Sequence, residues 1–504
     1  MNSRARGKLV PAAWIAGVSA LLLLIFPFGF PNYDTIYALL WGREMAEGMS
    51  PDMSAALPPT PHPLAELFGL VTSPLGDGSI DLTMVIAYVS LGLVGYLVYR
   101  LGSLWFDRPI GAVAALIVLT RAPYLSNGLR AYVDLPYIAL VLGTLVIETR
   151  RPRAGWPVLA LLALAGLLRP EAWLFSFAYL AYLLLDIRPP ASTDGVGEDD
   201  DGVGKDSSPG PEPSEERDNL LSPGGMGLLA LALAGPILWA LFDWITAGSP
   251  TYSFTGTRDT VETLERQTGL VDLILYGPRR LGEVLQWPGM VGAAGGIVLG
   301  FVFLRRRSAV GIAAAVLALG AFAVLAVSGL AIIARYTMLA AAVLAVFVAV
   351  GLLGWRLLEP GHRWRRLWQA FAGVVALMFV IWGPNQYDLL HQVHTDLSNQ
   401  GEIESDLHDL ARSDAFEPLC LPISVPNHRA VPRLAFDLKV PPSRIISSSE
   451  QHQPQHGYFL KPASPFVIHN FILDPNDTTR FTSTVPPGFE EVGRNQSWIL
   501  YRRC

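Results

Sequence analysis

Long stretches free of Asp, Glu, Lys and Arg recur along the chain, over residues 9–33, 82–99, 219–242, 284–304, 308–334, 336–355 and 367–387. About 20 mostly apolar residues are enough to cross a bilayer as a helix. Four shorter stretches, 109–120, 135–147, 154–168 and 172–185, become spans if one or two flanking charges sit at membrane depth. The pattern predicts a mainly α, polytopic membrane protein with about 11 transmembrane helices. The first stretch follows Arg4, Arg6 and Lys8 like a signal peptide, but its apolar run is too long, so it reads as an uncleaved anchor.

Arginine placement orients the spans. With the N-terminus cytoplasmic, the inner segments hold Arg100 and Arg108, then Arg150, Arg151 and Arg153, then Arg305 to Arg307, then Arg356, Arg363, Arg365 and Arg366. Every cluster falls on one side, as the positive-inside rule requires. The outer segments are then 31–80, 121–134, a turn near 169–171, 248–283 and a turn near 331–335, and the tail lies outside.

Two segments break the apolar pattern. Residues 187–222 are acidic, rich in Gly, Pro and Ser and poor in apolar residues, which predicts a disordered cytoplasmic tether. The tail carries short β-like runs at 419–425 and 465–473, a helical stretch around 394–412, and a terminal hairpin formed by FEEVG and SWILYRR. The expected organisation is a six-span module 1–186, the linker 187–222, a five-span module 223–383, and a small extracytoplasmic α/β domain 384–504. Cys420 and Cys504, the only cysteines, both fall in the tail. In an oxidising exterior they can pair, tying the last residue to a central strand, or remain thiols. Asn476-Asp477-Thr478 and Asn495-Gln496-Ser497 match the glycosylation pattern but read as turn formers.

Composition agrees with a membrane protein: 51% of the 504 residues are hydrophobic and only 16% charged, against roughly 25% charge in soluble domains. Two cysteines exclude a cysteine metal cluster. The net charge of −6 excludes a basic nucleic-acid surface. Residues 187–222 hold ten acids against three bases, a balance of −7, so the remaining chain carries only +1.

The outer face nevertheless holds charges at membrane depth, where they are costly and usually functional. Asp34 follows the first span; Arg121, Arg130 and Asp134 flank spans three and four; Arg169 and Glu171 sit between two short spans; Arg335 and Tyr336 open span ten. Guanidinium groups suit a phosphate leaving group, and a carboxylate can take a proton from an attacking hydroxyl. Each group also has a plain structural reading. Asp34 can cap a helix over 35–47, Arg130 and Asp134 can pair along one helix, Arg169 and Glu171 can close a turn, Arg335 can snorkel, and Tyr336 can anchor at the interface. Five prolines in the loop 49–64 predict an extended segment. His62 within it is a metal ligand, a phosphate contact, an acid/base group or a surface residue. No metal-ligand spacing occurs, which leaves a divalent cation open.

Taken in order and by sidedness, these residues resemble the GT-C class of polytopic glycosyltransferases, especially the branch with protein O-mannosyltransferases and the lipid A aminoarabinose transferase. The likeness runs over roughly residues 10–355. Asp34, Tyr37, Gly48 and Pro61-His62-Pro63-Leu64 fill the pattern after the first span, followed by Asp134, Leu168-Arg169-Pro170-Glu171 and Arg335-Tyr336. His62 stands where the aminoarabinose branch carries a lysine. The resemblance implies an inverting hexosyl or pentosyl transfer, at the outer face of a bacterial plasma membrane, from a sugar on a polyprenyl phosphate to a lipid, glycan or protein acceptor. Asp34 would be the general base. Asp134 would orient the acceptor or help hold a divalent ion, Mg or Mn. Arg130 and Arg335, with Arg258, Arg279 or Arg280, would hold the lipid phosphate, while His62, Arg169, Glu171 and Tyr336 would line the substrate site. The rivals are a transporter or flippase, a scaffold for envelope assembly, and a glycan polymerase or ligase of the O-antigen type.

Overall fold

The computed structural model describes residues 3–185, 223–449, 451–471 and 484–504, with side chains from residue 10 onward. The tether 187–222 and the Asn476 motif lie outside the described residues.

Helices follow the apolar pattern closely. In the first half they are α1 (Ser3–Ile25), α2 (Tyr33–Ala46), α3 (Pro63–Thr72), α4 (Gly78–Trp105), α5 (Arg108–Leu119), α6 (Ala122–Leu129), α7 (Asp134–Arg150), α8 (Trp156–Gly166) and α9 (Glu171–Leu184). The second half has α10 (Pro223–Ala247), α11 (Tyr252–Thr263), α12 (Gly269–Phe303), α13 (Arg305–Val327), α14 (Met338–Leu353) and α15 (Arg363–Ala411). Six of these, α4, α10, α12, α13, α14 with its flanking turns, and α15, are long and apolar enough to cross a membrane. The pair α5 and α6, bent by 61°, makes a seventh if it is one broken span. Residues 10–25, α8 and α9 are apolar but shorter. The chain is thus a membrane protein in which each of the eleven expected stretches coincides with a helix, and six or seven meet the length and composition of a span.

At the centre stands α14, buried along its whole length from Met338 to Gly351. A helix that is apolar on every side belongs inside a bundle rather than against lipid. Small residues let α12 approach it. A Cβ on Gly296 would lie 1.9 Å from the Phe347 carbonyl oxygen, so only glycine permits that crossing.

The expected outer segments are structured. The 31–80 segment contains α2 and α3 around an extended Pro-rich stretch, and 248–283 contains α11 and the first half of α12. α12 breaks at Gln286, whose backbone is left-handed (φ 61°).

The tail is a small α/β unit. Its five strands are β1 (Ile423–Val425), β2 (Ile445–Ser447), β3 (Gly457–Pro462), β4 (Glu490–Arg494) and β5 (Trp498–Arg503), ordered β2-β1-β3-β5-β4. Helix α16 (Val431–Leu438) makes the crossover between parallel β1 and β2, while β4 and β5 form the expected antiparallel hairpin. Asn495 shapes its turn by accepting from the Ser497 and Trp498 amides at 3.2 and 2.8 Å. Two expected strands are corrected. The run at 419–425 pairs only from Ile423, since Pro422 has no N–H to donate. Of the run at 465–473, the described residues 465–471 are instead helix α17 (Pro465–Phe471), with Pro465 at its first position and Val467, Asn470 and Phe471 buried at helical spacing. The helical stretch around 394–412 is the end of α15, which runs unbroken through the expected boundary at 383/384.

The tail core also takes in the first outer segment. Tyr37, Leu40 and Trp41 of α2 pack with Ile403, Leu407, Val425, Leu434 and Trp498. Arg43 donates to the Phe436 carbonyl at 2.8 Å. Cys420 and Cys504 are joined by a disulfide across 84 residues; Cys420 lies in the loop before β1 rather than in a central strand. Closing a loop of that size stabilises by on the order of 4 kcal/mol on chain-entropy grounds. The Cys504→Ser variant is therefore expected to melt several degrees lower in non-reducing buffer and to match the parent once both are reduced.

Candidate functional site

Asp34, Arg130, Arg169, Glu171 and Arg335 converge on one cavity of about 830 Å³, between the ends of the apolar helices and the tail. Asp34 enters it from the first turn of α2. Asn32, not Asp34, caps that helix, accepting from the Asp34 and Thr35 amides at 2.8 and 3.3 Å. The same asparagine donates to the Arg130 carbonyl at 2.8 Å, and Thr35 donates to the Ala131 carbonyl at 2.8 Å. These bonds pin the start of α2 to the α6–α7 turn and leave the Asp34 carboxylate to face Arg335, 3.5 Å away.

Arg335 lies in the short 3-10 turn before α14, with its guanidinium over the rings of Tyr132 (5.2 Å) and Tyr336 (5.5 Å). Its Nε–H is buried with no acceptor among the described residues. The Tyr336 ring stands over Arg169 at 4.4 Å as well, so it is shared between two guanidinium groups.

Arg169 is buried and joined to two carboxylates. Glu171 accepts from it at 2.7 Å, and Asp134 accepts from its Nη1. Arg169 and Glu171 line the cavity; Asp134, only 2% exposed, lies behind Arg169 and is not on the wall. The spacing between Arg130 and Asp134 does not yield a helical pair, because Arg130 ends α6, Ala131 turns the chain with a positive φ of 53°, and Asp134 starts α7. Arg130 reaches instead to Gln400 Oε1 at 2.7 and 2.9 Å. Arg121 is buried and donates to Gln286 at the α12 break (3.1 Å). Arg279 and Arg280 line the cavity; Arg258 packs over Phe254 and near Gly329, away from the wall.

No family model matches the chain, and no curated protein matches it in sequence. Solved structures do match. ArnT from Cupriavidus metallidurans bound to undecaprenyl phosphate covers 99% of this chain and 98% of its own, at 14% identity and a TM-score of 0.54. The apo form of that protein gives the same coverage and identity with a TM-score of 0.50. An oligosaccharyltransferase from Archaeoglobus fulgidus overlaps 86% of this chain and 64% of its own, at 12% identity and a TM-score of 0.45. ArnT is an aminoarabinose transferase of the GT-C class. The chain has the GT-C fold.

In this GT-C fold, His62 sits in the Pro-rich loop at the cavity wall, its ring edge-on to Trp239 at 5.9 Å and its Nδ1 buried without a partner. Burial lowers its pKa to about 4, so it is neutral at pH 7. Its backbone N–H donates to Glu66 at 3.1 Å. Glu66 is fully buried, which raises its pKa to about 8, and nearby Asp243 adds to the rise. The sign for stability follows. Between the unfolded value near 4.5 and the folded value near 8 the folded state binds the extra proton, so stability falls as pH rises across that window. Glu66→Gln is expected to match the parent's melting temperature at pH 4 and to exceed it at pH 8.

Sequence reasoning missed the far wall. Asp396, Gln400 and Glu404 come from the part of α15 beyond its apolar stretch, and His428 and Arg429 come from the turn before α16. No spacing in the sequence links them to Asp34; only the packing of the tail on α2 does. Asn32 was readable in principle, since Asn is as good a helix cap as Asp. Among the described residues no three His, Cys, Asp or Glu side chains converge to hold a metal. Asp34 and Asp134 each face an arginine instead.

Proposed function

We propose that this protein is a membrane glycosyltransferase that moves a sugar from a polyprenyl-phosphate donor to an acceptor hydroxyl at the outer face of a bacterial plasma membrane. The observation that carries this reading is the pairing of Asp34 with Arg335 on one cavity wall, where Arg335 holds a buried N–H with no acceptor among the described residues. A buried donor left open in the free protein is satisfied at little cost by a phosphate oxygen. The fold shared with ArnT, which binds undecaprenyl phosphate, supports a donor of that chemistry. Under this reading the chain crosses the membrane eleven times, with an inner N-terminus and an outer tail.

In the proposed step the acceptor hydroxyl oxygen bonds to the anomeric carbon from the side opposite the phosphate. The acceptor proton passes to the Asp34 carboxylate. The bond between the anomeric carbon and the phosphate oxygen breaks, and its electron pair leaves on the polyprenyl phosphate. Arg335, with Arg279 and Arg280 on the same cavity, offsets the charge that grows there. Attack from the opposite side inverts the anomeric centre. Neutral His62 can accept a sugar or acceptor hydroxyl proton at its open Nδ1. Asp134 acts by holding Arg169 under Tyr336.

Binding of the leaving group is tested without knowing the sugar. Undecaprenyl phosphate at about 100 times its Kd should stabilise the parent by roughly 2.7 kcal/mol. Arg335→Gln should lose most of that shift. Equal stabilisation of both proteins would remove Arg335 from the phosphate site.

A further inference from the structure

A second cavity lies at the other end of the molecule. It is a groove of about 460 Å³ between the last turns of α12 and the first turns of α15, walled by Gly295, Val298, Leu299, Trp364, Leu367 and Phe371. Along α12 its residues 294–299 lie 14 to 20 positions beyond the Arg279 and Arg280 that line the first cavity, roughly 20–30 Å of helix at 1.5 Å per residue. The Phe371 ring lies over Gly295, where a Cβ would be 2.0 Å from it, so the missing side chain opens the groove floor.

Basic residues flank the groove in the chain, just after α12 and at the start of α15. Arg305, Arg306 and Arg307 follow the end of α12, and Arg363, Arg365 and Arg366 form the first turn of α15. Phe303 draws the two sets together, its ring 5.7 Å from His362 and 6.0 Å from Trp364. Among the described residues none of these six arginines is paired with a carboxylate; Arg305, Arg363 and Arg365 lie over aromatic rings instead. An apolar slot under a cluster of uncompensated cations matches a molecule with a hydrocarbon chain and an anionic head.

We propose that this groove seats an anionic phospholipid of the inner leaflet, with an acyl chain between α12 and α15 and its phosphate among the arginines. Basic pockets between helices on this side suit such headgroups. The site is distinct from the donor cavity and does not depend on the transferase reading.

The test is native mass spectrometry of the full chain released from detergent, supplied with dioleoyl phosphatidylglycerol or dioleoyl phosphatidylcholine. The parent should retain one phosphatidylglycerol and little phosphatidylcholine. Arg363→Gln/Arg365→Gln/Arg366→Gln should reduce retention at least tenfold, and so should Val298→Trp, which fills the groove from an exposed position without touching the arginines. Arg150→Gln/Arg151→Gln, a basic pair without a groove, should leave retention unchanged. Excess glycerol 3-phosphate should not displace the lipid. Equal retention of the two lipids, loss in the Arg150/Arg151 variant, survival in either groove variant, or displacement by glycerol 3-phosphate overturns the proposal.

Discussion

Replacing Asp34 with Asn is expected to lower turnover by about 10²- to 10⁴-fold, the usual worth of a positioned general base. Asparagine keeps the size of the carboxylate but cannot take the acceptor's proton. Its fold should survive, because Asp34 does not cap α2; Asn32 does. The Asp34–Arg335 contact is also one-quarter exposed on each side, so its loss costs little stability. Donor binding should persist, since Arg335 keeps its aromatic seat on Tyr132 and Tyr336. The combination expected is an unchanged melting temperature, an undecaprenyl phosphate shift like the parent's, and lost turnover. Turnover comparable to the parent's would remove Asp34 from the chemistry.

Arg169→Met should fail differently. Arg169 is the cation between two buried carboxylates, Asp134 and Glu171, whose second oxygens already lack partners. Taking one member from a buried charged group strands the others and costs about 3–5 kcal/mol. The expected result is a large drop in thermal stability or in folded yield. Adding Asp134→Asn and Glu171→Gln should recover much of the loss, because the three act as one network. If Arg169→Met instead melts like the parent and loses only donor affinity, Arg169 is a phosphate ligand rather than the post that holds Tyr336.

The hydrophobic pattern located the helices because a bilayer-length apolar run has few other fates. It also singled out Asp34, Arg130, Arg169, Glu171 and Arg335, which line one cavity, since charges at membrane depth stand out against their surroundings. What it left open were pairings. Whether Asp134 meets Arg130 or Arg169 depends on a single left-handed residue, Ala131, between two helices. Whether Asp34 caps α2 depends on a competition with Asn32 two residues earlier. The tail was harder because its segments are short. Residues 465–471 satisfy strand and helix patterns alike until burial at Val467, Asn470 and Phe471 decides between them. The cavity wall at Gln400, His428 and Arg429 follows from docking the tail on α2 through Tyr37, Leu40 and Trp41, a contact between segments more than 350 residues apart. Such long-range pairings leave no local signal.

Product analysis tests the central claim most directly. The protein, reconstituted in liposomes, is given a polyprenyl-phosphate sugar and a cell-envelope extract as acceptor, and lipid and sugar products are followed by mass spectrometry and NMR. The account expects acceptor-dependent release of free polyprenyl phosphate, with the sugar joined to the acceptor in inverted anomeric configuration and turnover by the Asp34→Asn protein lowered at least about 10²-fold. Intact donor carried to the opposite leaflet, or a product that retains the donor's configuration, would contradict it.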